Sequence, residues 1–320
     1  MLKTLTRPVL ILLAFAAGYL VPQAAPLVFL IRYLLLIMLY FVFLQVRAKG
    51  LKPRSTHWRL LAANIAVGLA AWGVTLLTGN RALAHAAFFT GITPTASAAP
   101  VIIRFLGGSV EFVVTAFLVC NIGVSLSLTG LIPLVTGNFT AAFLLDVAGS
   151  LLFIVGLPMG AAALTRKIYP EAKEWPPKLA NFSFALWVIM LFLTAANASA
   201  FIRQTPDLSS TVLLEIAGIS ALICIFNFPL GYFISAKRCR RESSQSLGQK
   251  NTMFTLYLAM TYAGPLAALG PTFYVLWHNL WNAAQMFLHD RKKQLRRNRV
   301  CRACENPGTG YIEAKKPNPE

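Results

Sequence analysis

Residues 91–100 read GITPTASAAP and lie inside one of the most apolar parts of the chain. Pro94 and Pro100 each lack an amide donor and clash with the preceding helical turn. A helix crossing a bilayer here is therefore expected to break, freeing carbonyls between Thr90 and Ala96. Unsatisfied backbone at bilayer depth costs roughly several kcal/mol per group, and is tolerated where protein covers it or where it lines a wet cavity. The hydroxyls of Thr93, Thr95 and Ser97 either supply local partners or turn to a ligand. A proline-kinked helix with hydroxyl back-bonding and no ligand is the plainer alternative.

Outward from this stretch the chain stays apolar. Of 320 residues, 57% are hydrophobic and only 12% charged, with a mean hydropathy of +0.62, against about 25% charged in soluble domains. Ten spans fit, at 6–22, 26–46, 58–78, 82–105, 110–136, 140–165, 180–202, 211–236, 246–263 and 270–289. The expected class is an all-α polytopic membrane protein. The N-terminal run reads as the first span and not as a short, cleaved signal peptide, because the apolar pattern continues after it.

The net charge of +18 is a topology signal. Of the 29 Lys and Arg, only Arg81 and Arg203 fall on the outer side when the N-terminus is placed inside, and Arg32 and Lys250 lie within spans. The rest share one side, so both termini are expected to be cytoplasmic. The surface attracts anionic membrane lipid, and nucleic acid is not an expected partner. The expected location is a plasma membrane, of the bacterial inner-membrane type. Cys301 and Cys304 form a lone CxxC in a tail (291–320) that reads as poorly ordered.

Ten spans divide as five and five, residues 1–137 and 138–290, and an odd number per half inverts the second relative to the first. The fourth span breaks at TPTASAAP and the ninth at SLGQKNTM. Interrupted helices in matching positions of two inverted halves point to a transporter's binding site.

At these residues the chain resembles the bile acid:sodium symporter family. PTASAAP (94–100) and GGSV (107–110) match the family's P-G-G-T-A-S-N stretch and the small-residue turn after it. SLGQKN (246–251) aligns with an E-x-G-x-Q-N pattern through Gly248 and Asn251, and WHNLWN (277–282) with a Trp-His-Asn step. The resemblance implies two inverted repeats with spans four and nine unwound and crossing in a core domain. A panel of spans one, two, six and seven stands against it. It further implies sodium-coupled uptake of organic anions. The family's sodium positions are altered, however. Ala99 and Pro100 stand for its Ser-Asn pair, Val113 and Phe117 for span-five hydroxyls, Ser246 for its glutamate and Lys250 for its glutamine.

Lys250 is thus expected to put a tethered positive charge where the family holds sodium, giving sodium-independent transport that is facilitated or coupled to protonation of the amine. The bland reading has Lys250 snorkelling to water from the cytoplasmic end of span nine. Glu111 is an interfacial carboxylate that would otherwise pair with Arg104 or Lys250. Thr93, Thr95, Ser97, Asn251, His278 and Asn279 are the expected substrate contacts, with Lys250, Ser246 and Glu111 as charge or coupling groups and Pro94, Pro100 and Gly248 as helix breakers. Half-helix N-termini would offer dipole ends to a carboxylate. No cofactor is expected.

The leading expectation is a secondary transporter of a small organic anion. A sodium-coupled symporter and a membrane sensor without turnover are the alternatives. No nucleotide-binding loop supports ATP-driven transport, and no nucleophile–base pair supports an enzyme. The topology is checked by fusions: alkaline phosphatase joined after Gly137 should be active, and joined after Glu171 inactive.

Overall fold

The computed structural model describes residues 10, 13–45, 52–96, 98–204 and 210–305. Ser97 lies outside the described residues, as do 306–320. Helix α1 covers 13–20, and a 3-10 segment at Pro22–Phe29 leads into α2 (Leu30–Gln45). Then follow α3 (Ser55–Leu76), α4 (Arg81–Ile92), α5 (Ala99–Phe105) and α6 (Val110–Thr136). Next come α7 (Ala141–Leu151), α8 (Leu157–Ile168), α9 (Trp175–Lys178), α10 (Ala180–Gln204) and α11 (Ser210–Phe233). The last three are α12 (Arg240–Gly248), α13 (Thr252–Tyr262) and α14 (Pro265–Glu305). Among the described residues there is no strand, only an isolated antiparallel bridge between Thr95 and Lys250.

Local chemistry sets several of these ends. The Asn80 side chain accepts from the Leu83 amide at 3.1 Å and starts α4. Gly137, at φ +73°, takes the left-handed conformation that ends α6. A π-helical turn at Leu152–Gly156 joins α7 to α8. Pro158 follows it and cannot donate to Ile154, which accounts for the widened turn.

Among the described residues six segments are long and apolar enough to cross a bilayer: Pro22–Phe41, Ser55–Leu76, Val110–Thr136, Ala141–Ile168, Asn181–Gln204 and Thr211–Phe233. They define an all-helical integral membrane protein. The expected fourth and ninth spans are each split, into α4 and α5 and into α12 and α13, and no half reaches the ~20 residues a span requires. Two further differences concern ends. Helix α12 starts at Arg240, well before the expected 246, because its residues are polar yet buried from Glu242 to Gly248. Helix α14 runs on to Glu305, so the segment from Arg291 is helical where a poorly ordered tail is expected. Its Lys, Arg, Gln and Ala are good helix formers, and no Gly or Pro intervenes.

The chain forms two compact units, Met1–Asn279 and Leu280–Glu320, and the crossing of the broken segments lies wholly in the first. Within it α2 packs on α8 and α10, and α10 on the 3-10 segment. Helix α4 packs on α3, α11 and α13, and α12 on α11, α6, α3 and α5. Glycines permit the closest approaches. A Cβ on Gly91 would stand 2.8 Å from Gly68 Cα, and one on Gly270 2.5 Å from the Ala86 carbonyl oxygen. Gly91→Ala should therefore lower thermal stability in detergent by about 1–3 kcal/mol. Gly73→Ala, where a Cβ meets nothing within 4 Å, should not.

Candidate functional site

The two breaks meet. Chain 93–96 leaves the end of α4, chain 249–251 leaves the end of α12, and they run antiparallel. The Ala96 amide donates to the Gln249 carbonyl at 2.8 Å, and the Asn251 amide to the Pro94 carbonyl at 2.8 Å. Thr95 and Lys250 are then a non-hydrogen-bonded pair, whose side chains stand closest.

Those side chains close the helix ends reciprocally. A helix leaves its last four carbonyls without intrahelical donors. The Thr95 hydroxyl donates to the Ser246 carbonyl of α12 at 2.6 Å. Lys250 Nζ donates to the Gly91 carbonyl of α4 at 3.1 Å. Each segment thus supplies the donor that the other helix lost. Tyr274 Oη adds a bond to the Gly248 carbonyl at 2.9 Å, and Thr93 Oγ1 donates to the Phe89 carbonyl at 2.6 Å.

Lys250 is 1% exposed, so it does not snorkel to water. Its second acceptor is the Oδ1 of Asn64 on α3, and Asn64 Nδ2 in turn donates to the Leu60 carbonyl. Among the described residues no carboxylate faces the ammonium. An unpaired buried charge is expensive. Here it is offset by two neutral acceptors, one of them an orphaned carbonyl at the negative end of the α4 dipole. Two buried thiols stand nearby, Cys120 of α6 and Cys224 of α11.

Asn121 of α6 holds the crossing from the side. Its Nδ2 donates to the Thr95 carbonyl at 2.9 Å, and its Oδ1 accepts from Asn251 Nδ2 at 3.3 Å. The Thr93 and Thr255 hydroxyls, 2.7 Å apart, tie the end of α4 to the first turn of α13.

The expected site residues fall into four groups. Thr93, Pro94, Thr95, Ser246, Gly248, Lys250 and Asn251 come together at the crossing, where Thr93, Thr95, Ser246 and Lys250 are fully buried and Asn251 is half-buried. Their hydroxyls are committed to protein: Ser246 Oγ donates to the Glu242 carbonyl at 2.8 Å. Pro100 does not terminate a helix but sits in the first turn of α5, where a missing donor costs nothing. His278 and Asn279 lie on α14, where Asn279 Nδ2 donates to the Val275 carbonyl of its own helix. Glu111 is exposed in the first turn of α6.

Sequence reasoning passed over Asn64, Tyr274 and Glu242. Asn64 is a lone amide in an apolar span, a signal that existed. Glu242 looks like a loop residue, yet its Oε1 accepts from the Ser109 amide at 2.9 Å and moors α12 to the turn before α6. A scan against protein-family models and a search of characterised proteins each return no match for this chain.

The Asn64–Lys250 bond is tested by a double-mutant cycle. Asn64→Leu should cost about 1.5–3 kcal/mol of unfolding free energy with Lys250 present. In the Lys250→Met background the same substitution should cost markedly less, giving a coupling energy of about 1 kcal/mol or more.

Proposed function

We propose that the protein is a secondary transporter that moves a small organic anion by alternating access, with Lys250 in place of a coupling sodium ion. On this reading the frame is that of the bile acid:sodium symporter family: ten spans in two inverted five-helix repeats, with α4–α5 and α12–α13 as the crossing elements. Support comes from the antiparallel meeting of two breaks that lie five spans apart in the hydropathy pattern. The packing of α2, α8, α10 and the 3-10 segment with one another matches the panel that such a frame requires.

The observation that carries the proposal is the buried, carboxylate-free ammonium of Lys250 at the crossing. A fixed positive charge in a low-dielectric site attracts an anion strongly, and the N-terminus of α13 adds a positive dipole end beside it. Asn251, half-buried at that N-terminus, is the polar side chain best placed to meet the anion. The crossing does not suit sodium. Such an ion needs several free oxygens, whereas the hydroxyls of Thr93, Thr95 and Ser246 and the amide of Asn121 already have protein partners. The ammonium would also repel a second cation.

Alternation on this reading moves the crossing helices against α2, α8 and α10. An anion that neutralises Lys250 removes the electrostatic cost of shifting that charge across the bilayer. Counterflow in proteoliposomes with a panel of radiolabelled carboxylates tests the proposal. Exchange should be equal with and without sodium, and Lys250→Ala and Lys250→Gln should each reduce it about tenfold or more, the equivalent of ~1.4 kcal/mol. Stimulation by sodium, or normal exchange in both variants, would overturn it.

A further inference from the structure

Behind the crossing, α11 and α14 carry a second buried polar cluster that anion binding does not use. Tyr274 Oη, which bonds the Gly248 carbonyl, also accepts from Asn227 Nδ2 at 3.2 Å. Asn227 and Tyr274 are wholly buried, yet among the described residues Asn227 Oδ1 has no protein partner. One turn along α14 lies His278, 5% exposed, its ring centroid 5.5 Å from that of Tyr274. Among the described residues its Nδ1 has no protein partner either. Cys224, one turn before Asn227, is buried and interacts with Tyr274 and Lys250.

An orphaned buried acceptor costs about 1–3 kcal/mol, and an apolar residue at 227 or 278 would avoid that cost. Two such groups around one hydroxyl form the setting that ordered internal water occupies, with two to four polar partners. The groups facing this cluster and Lys250 can be named element by element. From α3 there is Asn64, from α4 the Gly91 carbonyl, from α6 Cys120, from α11 Cys224 and Asn227, and from α14 Tyr274 and His278. Among the described residues no carboxylate joins them. Glu242 is turned to the Ser109 amide and Glu215 is exposed.

We propose that Asn227, Tyr274 and His278 hold a short file of internal water that carries protons between Lys250 and the aqueous phase, making transport proton-coupled. The proposal rests on the transporter reading above. In the coupling step one N–H bond of the Lys250 ammonium breaks and its proton passes to water at Tyr274. The file delivers one proton to bulk, and the site charge falls from +1 to 0. The neutral amine releases the anion, and the reverse transfer restores the ammonium. Anion and proton therefore travel in the same direction.

Two measurements decide the matter. In hydroxyl-radical footprinting of the intact wild-type protein, Tyr274 should be oxidised although it is fully buried, while the equally buried Phe88 stays unmodified. An unmodified Tyr274 would refute the water file whatever the protein transports. In proteoliposomes an inward-directed proton gradient should accelerate wild-type uptake. Tyr274→Phe and Asn227→Leu should each abolish most of that acceleration, a loss of about fivefold or more measured against each variant's own uptake at equal pH. Acceleration that survives both substitutions would refute the proton path while leaving the transporter reading intact. Absence of any wild-type exchange would instead bring down the transporter reading, and the coupling role with it.

Discussion

The structure depends on a reciprocal exchange of hydrogen-bond donors between two broken helices. Opening a helix inside a bilayer leaves carbonyls that no water can reach, and a single break would have to be closed by unrelated neighbours. Two breaks set antiparallel resolve the problem jointly. Thr95 serves the end of α12, Lys250 serves the end of α4, and two backbone bonds lock the strands between them. Removing either segment would orphan the other, so the four half-helices stand or fall together. The close approach of Gly68 to Gly91 brings α3 against α4, which sets Asn64 of α3 within reach of Lys250.

The same exchange explains why a lysine is tolerated at such depth. A serine or threonine at 250 is too short to reach both Gly91 and Asn64, and a glutamine would bring its own acceptor into a place that already has two. An ammonium carries only donors and fits a site made of acceptors. Its charge remains uncompensated by any described carboxylate, and on the proposed reading that imbalance is what draws an anion to the site.

Much of this was legible in the chain, and the exceptions have physical causes. The bounds of α6 agree with the hydropathy pattern because the Ser109 and Gly137 caps fall at the two ends of a largely apolar run. The break at Pro94 follows from the chemistry of one residue. The partner of Lys250 was not legible, because Asn64 reaches it only through the tight α3–α4 contact at Gly68 and Gly91, a matter of tertiary packing. Pro100 misled because a proline that opens a helix and one that ends it look alike in sequence. The start of α12 was missed because buried polar residues defeat any argument from hydropathy, and the reach of α14 because a basic composition suits a helix as well as a solvated tail.

The polarity of α12 bears on how the protein is made. RRESSQSLG is nine residues long, too short and too hydrophilic to leave a translocation channel sideways into lipid on its own. It can settle only against surfaces that were synthesised earlier, with Phe228 and Gly231 of α11, the amide at Ser109 and the Thr95 hydroxyl beyond α4 ready to receive it. The order of synthesis thus becomes part of the assembly instructions: the first half must wait, with its own break unclosed, until the ribosome has delivered the residues that complete it.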